Sequence, residues 1–151
     1  MPLKAAINDD MKQYMKDKDT YALEAVRMLK SEIKYVEIEQ QKELDDDGII
    51  KVLQSAIKKN KEAAEIYEKA GRTDLRDKEN RYTEVLSKYM PEQLDSAKVK
   101  EIVSSVIAEM GTVDPKTAFG AVMKASMSKI GNRAEGKTVS AVVKEVLDGI
   151  N

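Results

Sequence analysis

The segment Gly131-Asn132-Arg133-Ala134-Glu135-Gly136-Lys137-Thr138 has the spacing G-x-x-x-x-G-K-T. In nucleotide-binding proteins this loop wraps backbone N–H groups around a phosphate, with the lysine as countercharge and the threonine on magnesium. That chemistry needs a strand before the loop and further βα units after it. Here the loop follows an amphipathic helical pattern, and 13 residues remain after Thr138. ATP or GTP hydrolysis is therefore rejected. A Gly-rich loop entering a helix still exposes unpaired N–H groups at a positive dipole end. Flanked by Arg133 and Lys137, it reads as a contact for a nucleic-acid phosphate backbone; the plain alternative is a solvated interhelical turn. Residues 115–144 hold Lys116, Lys124, Lys129, Arg133, Lys137 and Lys144 against Glu135 alone, a net of +5. The candidate binding set is Lys124, Lys129, Asn132, Arg133, Gly136, Lys137 and Lys144.

Other chemistry is excluded or undistinguished. The chain has no Cys and no His, which removes thiol nucleophiles, imidazole bases, disulfides and the usual structural zinc sites. Its 27 acidic residues offer many carboxylate pairs but no convergent pattern, so no catalytic residue, metal ligand or cofactor is assigned. Asp45-Asp46-Asp47 lacks the spaced ligands of a calcium loop and reads as a helix cap. Arg27, Lys30 and Lys34 share a helical face, and Lys58 and Lys61 are three apart. They read as an RNA-facing stripe or, by default, as solvated charge with Glu partners at helical spacing. Met123 and Met127, four apart, read as core filler.

The elements that must position these residues are helices. Of 151 residues 42% are hydrophobic and 35% charged, and only 7 are Gly and 3 Pro, so turns are few and helices long. No run of 18 apolar residues marks a membrane span. The first residues show no secretory apolar core, and the absence of Cys suits a reducing compartment; a cytoplasmic location is expected. Helical periodicity predicts a first helix over 3–17 and a second from a Thr20 cap to about Leu44. A third carries Ile49 to Tyr67 and stops before Gly71. The second and third read as a long antiparallel hairpin joined by the acidic turn. Thr73 is expected to cap a fourth helix, which ends before Pro91. All six Tyr precede that proline and five of the seven Gly follow it. The expected division is a helical domain over 1–90 and a smaller three-helix module over 95–151. In the module, Asp95 or Ser96 caps one helix. Asp114-Pro115 opens the next, with Phe119, Val122, Ser126 and Ile130 inward. The last turns Val139, Val142, Val143 and Val146 inward. The fold class is all-α.

Four segments carry a resemblance. Ala70-Gly71-Arg72-Thr73-Asp74-Leu75, Val85 through Leu94 (VLSKYMPEQL), Phe119-Gly120-Ala121-Val122-Met123 and Arg133-Ala134-Glu135-Gly136-Lys137 resemble the YqeY proteins, in order and with matching spacing. That family shares a helical region with the B subunit of the glutamine-dependent aminoacyl-tRNA amidotransferase. The resemblance implies an all-α protein whose C-terminal module corresponds to one that contacts tRNA, while the amidotransferase machinery sits in parts this chain lacks. It also carries a family label of carbon–nitrogen ligase activity with glutamine as nitrogen donor. Departures are Gly131-Asn132 in place of a usual Lys-Gly, Ser128 in place of a common Pro, Glu135 for Asp, and Ala121 for a Lys. The expected function is a non-catalytic, tRNA-binding or amidotransferase-associated accessory protein of translation, with tRNA and a tRNA-handling enzyme as partners and no membrane contact. The alternatives are the ligase activity itself or a protein–protein adaptor. The oligomeric state is left open.

Overall fold

The computed structural model describes residues 2–150. Among them are seven α-helices, one short 3-10 turn and no strand. The chain divides after Met90 into two compact units, each with its own apolar core.

The first unit holds α1 (Leu3–Asp17), α2 (Thr20–Gln40), α3 (Asp46–Lys69) and α4 (Thr73–Ser87). Ile7, Val26, Leu29, Ile33, Ile49 and Leu53 are buried at helical spacing, each removing apolar surface from water. The expected α2–α3 hairpin is the lesser pairing. The two helices touch, but α3 lies chiefly along α4, which also packs on α2. Only three residues, 70–72, join α3 to α4, against five between α2 and α3, so α3 and α4 fold back on each other through the tighter connection.

Three helix ends close alike. After α1, Asp19 N–H reaches the Tyr14 carbonyl and Lys18 N–H the Met15 carbonyl. After α2, Lys42 and Gln41 bond to Glu37 and Ile38 in the same way, and after α3, Arg72 and Gly71 bond to Tyr67 and Glu68. These are Schellman closures, which need a left-handed residue just past the helix. Gly71 takes it freely, whereas Lys18 (φ 57°) and Gln41 (φ 56°) are held there without glycine.

Some boundaries differ from expectation. Asp19, not Thr20, caps α2: its carboxylate accepts from Ala22 N–H at 3.2 Å and also receives Arg81 of α4 at 3.0 Å. The helix stops at Gln40, four residues early, because Gln41 turns left-handed and the Glu37 carboxylate takes Leu44 N–H at 2.8 Å. Thr73 is the first residue of α4, which has no side-chain cap.

Polar side chains seam this unit. The Tyr82 hydroxyl donates to the Glu24 carboxylate, and burial, with that bond, raises the Tyr82 pKa. Asp10 of α1 accepts from the Tyr89 hydroxyl at 2.6 Å and Lys88 at 2.9 Å. Burial works against the Asp10 carboxylate, but these two donors outweigh it and hold its pKa below the usual value. A carboxyl depressed by folding contributes stability above its unfolded pKa, near 3.9, and loses it as pH falls through the lower folded value. Asp10→Asn is therefore expected to be less stable than the parent at pH 7, with the gap closing as pH falls below about 4. Urea unfolding across that range measures it.

The second unit holds α5 (Ser96–Met110), α6 (Phe119–Ile130), a 3-10 turn (Gly131–Arg133) and α7 (Gly136–Asp148), all three helices packing on one another. Asp95 caps α5 through Lys98 N–H at 2.8 Å. Val99, Val103, Val122, Val139 and Val143 are fully buried. Asp114 and Pro115 form a turn rather than opening α6: the Asp114 carboxylate takes Lys116 N–H and its carbonyl takes Ala118 N–H. The helix begins at Phe119, after a turn in which Asp114 takes the Lys116, Thr117 and Ala118 N–H groups. Phe119 is exposed rather than inward, and Leu147 joins the buried face of α7, with Val146 packed half-buried against the same core.

Ser126 sits wholly inside this core with no partner for its hydroxyl among the described residues. An unmet buried hydroxyl costs about 1–3 kcal/mol, and alanine is also the better helix former. Ser126→Ala is expected to stabilise the unit by about 1 kcal/mol or more, read by urea unfolding or by slower amide exchange in α6.

Candidate nucleic-acid interface

The basic segment is built on α6, the 3-10 turn and α7. A left-handed Gly131 (φ 58°) ends α6, and two contacts pin the turn that follows. Leu94 N–H donates to the Arg133 carbonyl at 2.7 Å, and the Gln93 side chain donates to the Asn132 carbonyl at 3.1 Å. Buried Ala134 fixes the entry into α7.

Glu135 occupies the N-cap of α7 but makes no side-chain hydrogen bond to the first turn; glutamate is too long for the bond that Asp or Ser makes. The leading N–H groups of α7 therefore lie at a positive helix end without a side-chain acceptor. Gly136 begins the helix, and a Cβ there would meet nothing within 4 Å. Lys137 is exposed beside it and makes no ion pair among the described residues. Lys144, also exposed and unpaired, lies seven residues on, about 10.5 Å along the same face. That face is opposite buried Val139 and Val143.

The rest of the expected set is less unified. Arg133 turns back on α6: its guanidinium donates to the Lys129 carbonyl at 2.8 Å and the Ile130 carbonyl at 3.2 Å. It is a C-terminal cap for that helix, so replacing it would disturb the turn as well as remove a charge. Lys129 pairs with both oxygens of Glu109 at 2.9 Å. Lys124 is exposed, but five residues place it about 140° around α6 from Lys129, so the two do not share a face. Asn132 is half-buried in the 3-10 turn. From Pro91 onward the chain holds eight acidic and eight basic residues, so this unit is neutral and its basicity is local. Gln93 and Glu109 had no signal in the sequence, because both act across the fold at separations of 39 and 20 residues.

Elsewhere, Asp45 caps α3 through Gly48 N–H at 2.9 Å and Asp46 accepts Leu3 N–H at 3.0 Å, the helix-cap role rather than a cation site. Met123 and Met127 pack half-buried on the second core. Arg27 and Lys34 are exposed without the Glu partners expected for them, while Lys30 is half-buried beside Met11. A groove of about 970 Å3 runs beside α2, the 41–45 connection and α3, lined in part by Tyr35, Val36, Leu44, Lys51 and Lys59. None of the seven candidate binding residues lines it. No described helix is long and apolar enough to cross a membrane.

Comparison with known proteins places the chain among relatives. The chain is 29% identical over 141 residues to altered inheritance of mitochondria protein 41, mitochondrial, of Pyrenophora tritici-repentis, covering 91% of this chain and 77% of that protein. It is 31% identical over 90 residues to the uncharacterized protein C22F3.15 of Schizosaccharomyces pombe, covering 60% and 73%. The family model described as Yqey-like protein matches residues 4–147. Spanning both units, that match identifies the chain as a member of the YqeY-like family.

Proposed function

We propose that this protein is an accessory tRNA-binding protein whose second unit grips the phosphate backbone at the start of α7, with no active site of its own. The observation that carries this is the α7 entry: leading N–H groups without a side-chain cap, an open Gly136 and an unpaired Lys137, with Lys144 continuing the line. Family membership supports it, through the resemblance to the amidotransferase B subunit and its tRNA-contacting module. A cytoplasmic place in translation, beside a tRNA-handling enzyme, belongs to the same reading. The word mitochondrial in the fungal relative's name makes an organellar translation system the other setting for it.

Binding through phosphates releases counterions, so log affinity falls linearly with log salt, at about −0.9 per phosphate on duplex. Titrating the full chain against bulk tRNA at several salt concentrations tests this. The expected result is micromolar binding at low salt with a slope of about −2 to −4. Absent binding at low salt, or binding indifferent to salt, overturns it. Glutamate release from glutamine in the presence of misacylated tRNA would instead favour the ligase alternative.

A further inference from the structure

Of the large apolar side chains that are exposed among the described residues, half lie on α2: Tyr21, Met28, Tyr35 and Ile38. Their spacing is ordered. Tyr21, Met28 and Tyr35 are seven residues apart and Ile38 follows by three, which are a and d positions of a heptad. Tyr35 and Ile38 are 70% and 67% exposed. The same helix buries Val26 and Ile33 in its own unit, so this is a second apolar stripe on a helix whose core face is already used. Such a stripe in contact with water marks an interaction surface.

The flanks of the stripe say what covers it. In this register Arg27 and Lys34 occupy g positions, and Glu32 and Glu39 occupy e positions. None of the four makes an ion pair among the described residues. In a parallel two-stranded coil, a g residue faces the e residue five positions on in the other strand, and these pairs set partner and orientation. Arg27 then meets Glu32 of a second copy and Lys34 meets Glu39, each pair repeated by the two-fold axis. Antiparallel packing would set g against g and e against e, bringing like charges together.

We propose that the outward face of α2 is a self-association surface on which a second copy of this chain docks through its own α2, parallel and in register. Ser31 takes the middle d position as a small residue. Glu24, at the first d position, is already bound by Tyr82, so the contact is short and belongs to the weak, reversible class. This inference concerns the first unit and stands apart from the tRNA reading.

Sedimentation equilibrium of the full chain, from about 5 to 500 μM, tests it in the range where weak dimers form. The weight-average mass should rise from 16.9 kDa towards twice that value. Lys34→Glu places two repulsive pairs in the dimer and should weaken it about tenfold. Combining Lys34→Glu with Glu39→Lys exchanges the pair and should restore most of the loss. Far-UV circular dichroism checks that each variant keeps its helix. A chain that stays monomeric throughout overturns the proposal and leaves the stripe to another protein. Tighter association of Lys34→Glu overturns the parallel register, and failure of the exchanged pair to recover overturns the Lys34–Glu39 contact.

Discussion

Replacing Lys137 and Lys144 together with alanine is expected to weaken tRNA binding about a hundredfold at 0.1 M salt and to lower the salt slope by about two. The size follows from counterion release. A slope of about 0.9 per phosphate, carried over the decade from 0.1 M to 1 M, is worth close to tenfold per contact. Both side chains are exposed and unpaired, so neither core nor cap is lost and the melting transition should move little. This separates the pair from Arg133, whose removal also frees two α6 carbonyls. Lys129→Ala is the useful contrast: its charge is already matched by Glu109, and a smaller loss is expected there. Fluorescence anisotropy with labelled tRNA, at matched salt, checks both. Equal losses for all three lysines would point to diffuse attraction rather than a grip at the start of α7.

Leu53→Ala is expected to destabilise the first unit by about 2–5 kcal/mol. Leu53 is wholly buried on α3, the helix that packs most extensively on α4 and also meets α1 and α2. Deleting its branched end loses transfer energy and leaves a cavity that three rigid neighbours close only in part. Because all six tyrosines lie before Pro91, near-UV circular dichroism in the tyrosine band reports this unit alone. Its urea midpoint should fall sharply, whereas Tyr35→Ala, at an exposed site, should leave it nearly unchanged.

The apolar spacing announced the helices because burial repeats every three or four residues wherever a helix covers a core. That rule reaches α1 over Leu3–Asp17 and the valine stripe of α7. It fails where a local competitor ends or delays a helix. Gln41 turns left-handed with no glycine to signal it, and Asp114 spends its carboxylate and carbonyl on one turn before α6 begins. Phe119 was read inward on type and spacing, but starting α6 at that residue leaves it on the exposed side. The candidate interface divides in the same way. Gly136 and Lys137 could be read from adjacent residues. The tasks of Arg133 and Lys129 depend on carbonyls and a carboxylate brought in by folding, and the unpaired flanks of α2 are visible only once each charge has been placed beside its neighbours.

The cap that Arg133 forms has an electrostatic outcome. Helices α6 and α7 follow one another tail to head, so the negative pole of the first lies a few residues from the positive pole of the second, each worth about half an elementary charge. Left alone, the two would largely cancel for an approaching anion. By laying a full positive charge on the last carbonyls of α6, Arg133 silences the repulsive pole and leaves the attractive one in force. Two of the five guanidinium donors are committed to that task, and three remain. What remains at that end of a neutral unit is the positive pole of α7, with Lys137 and the Glu135 carboxylate beside it.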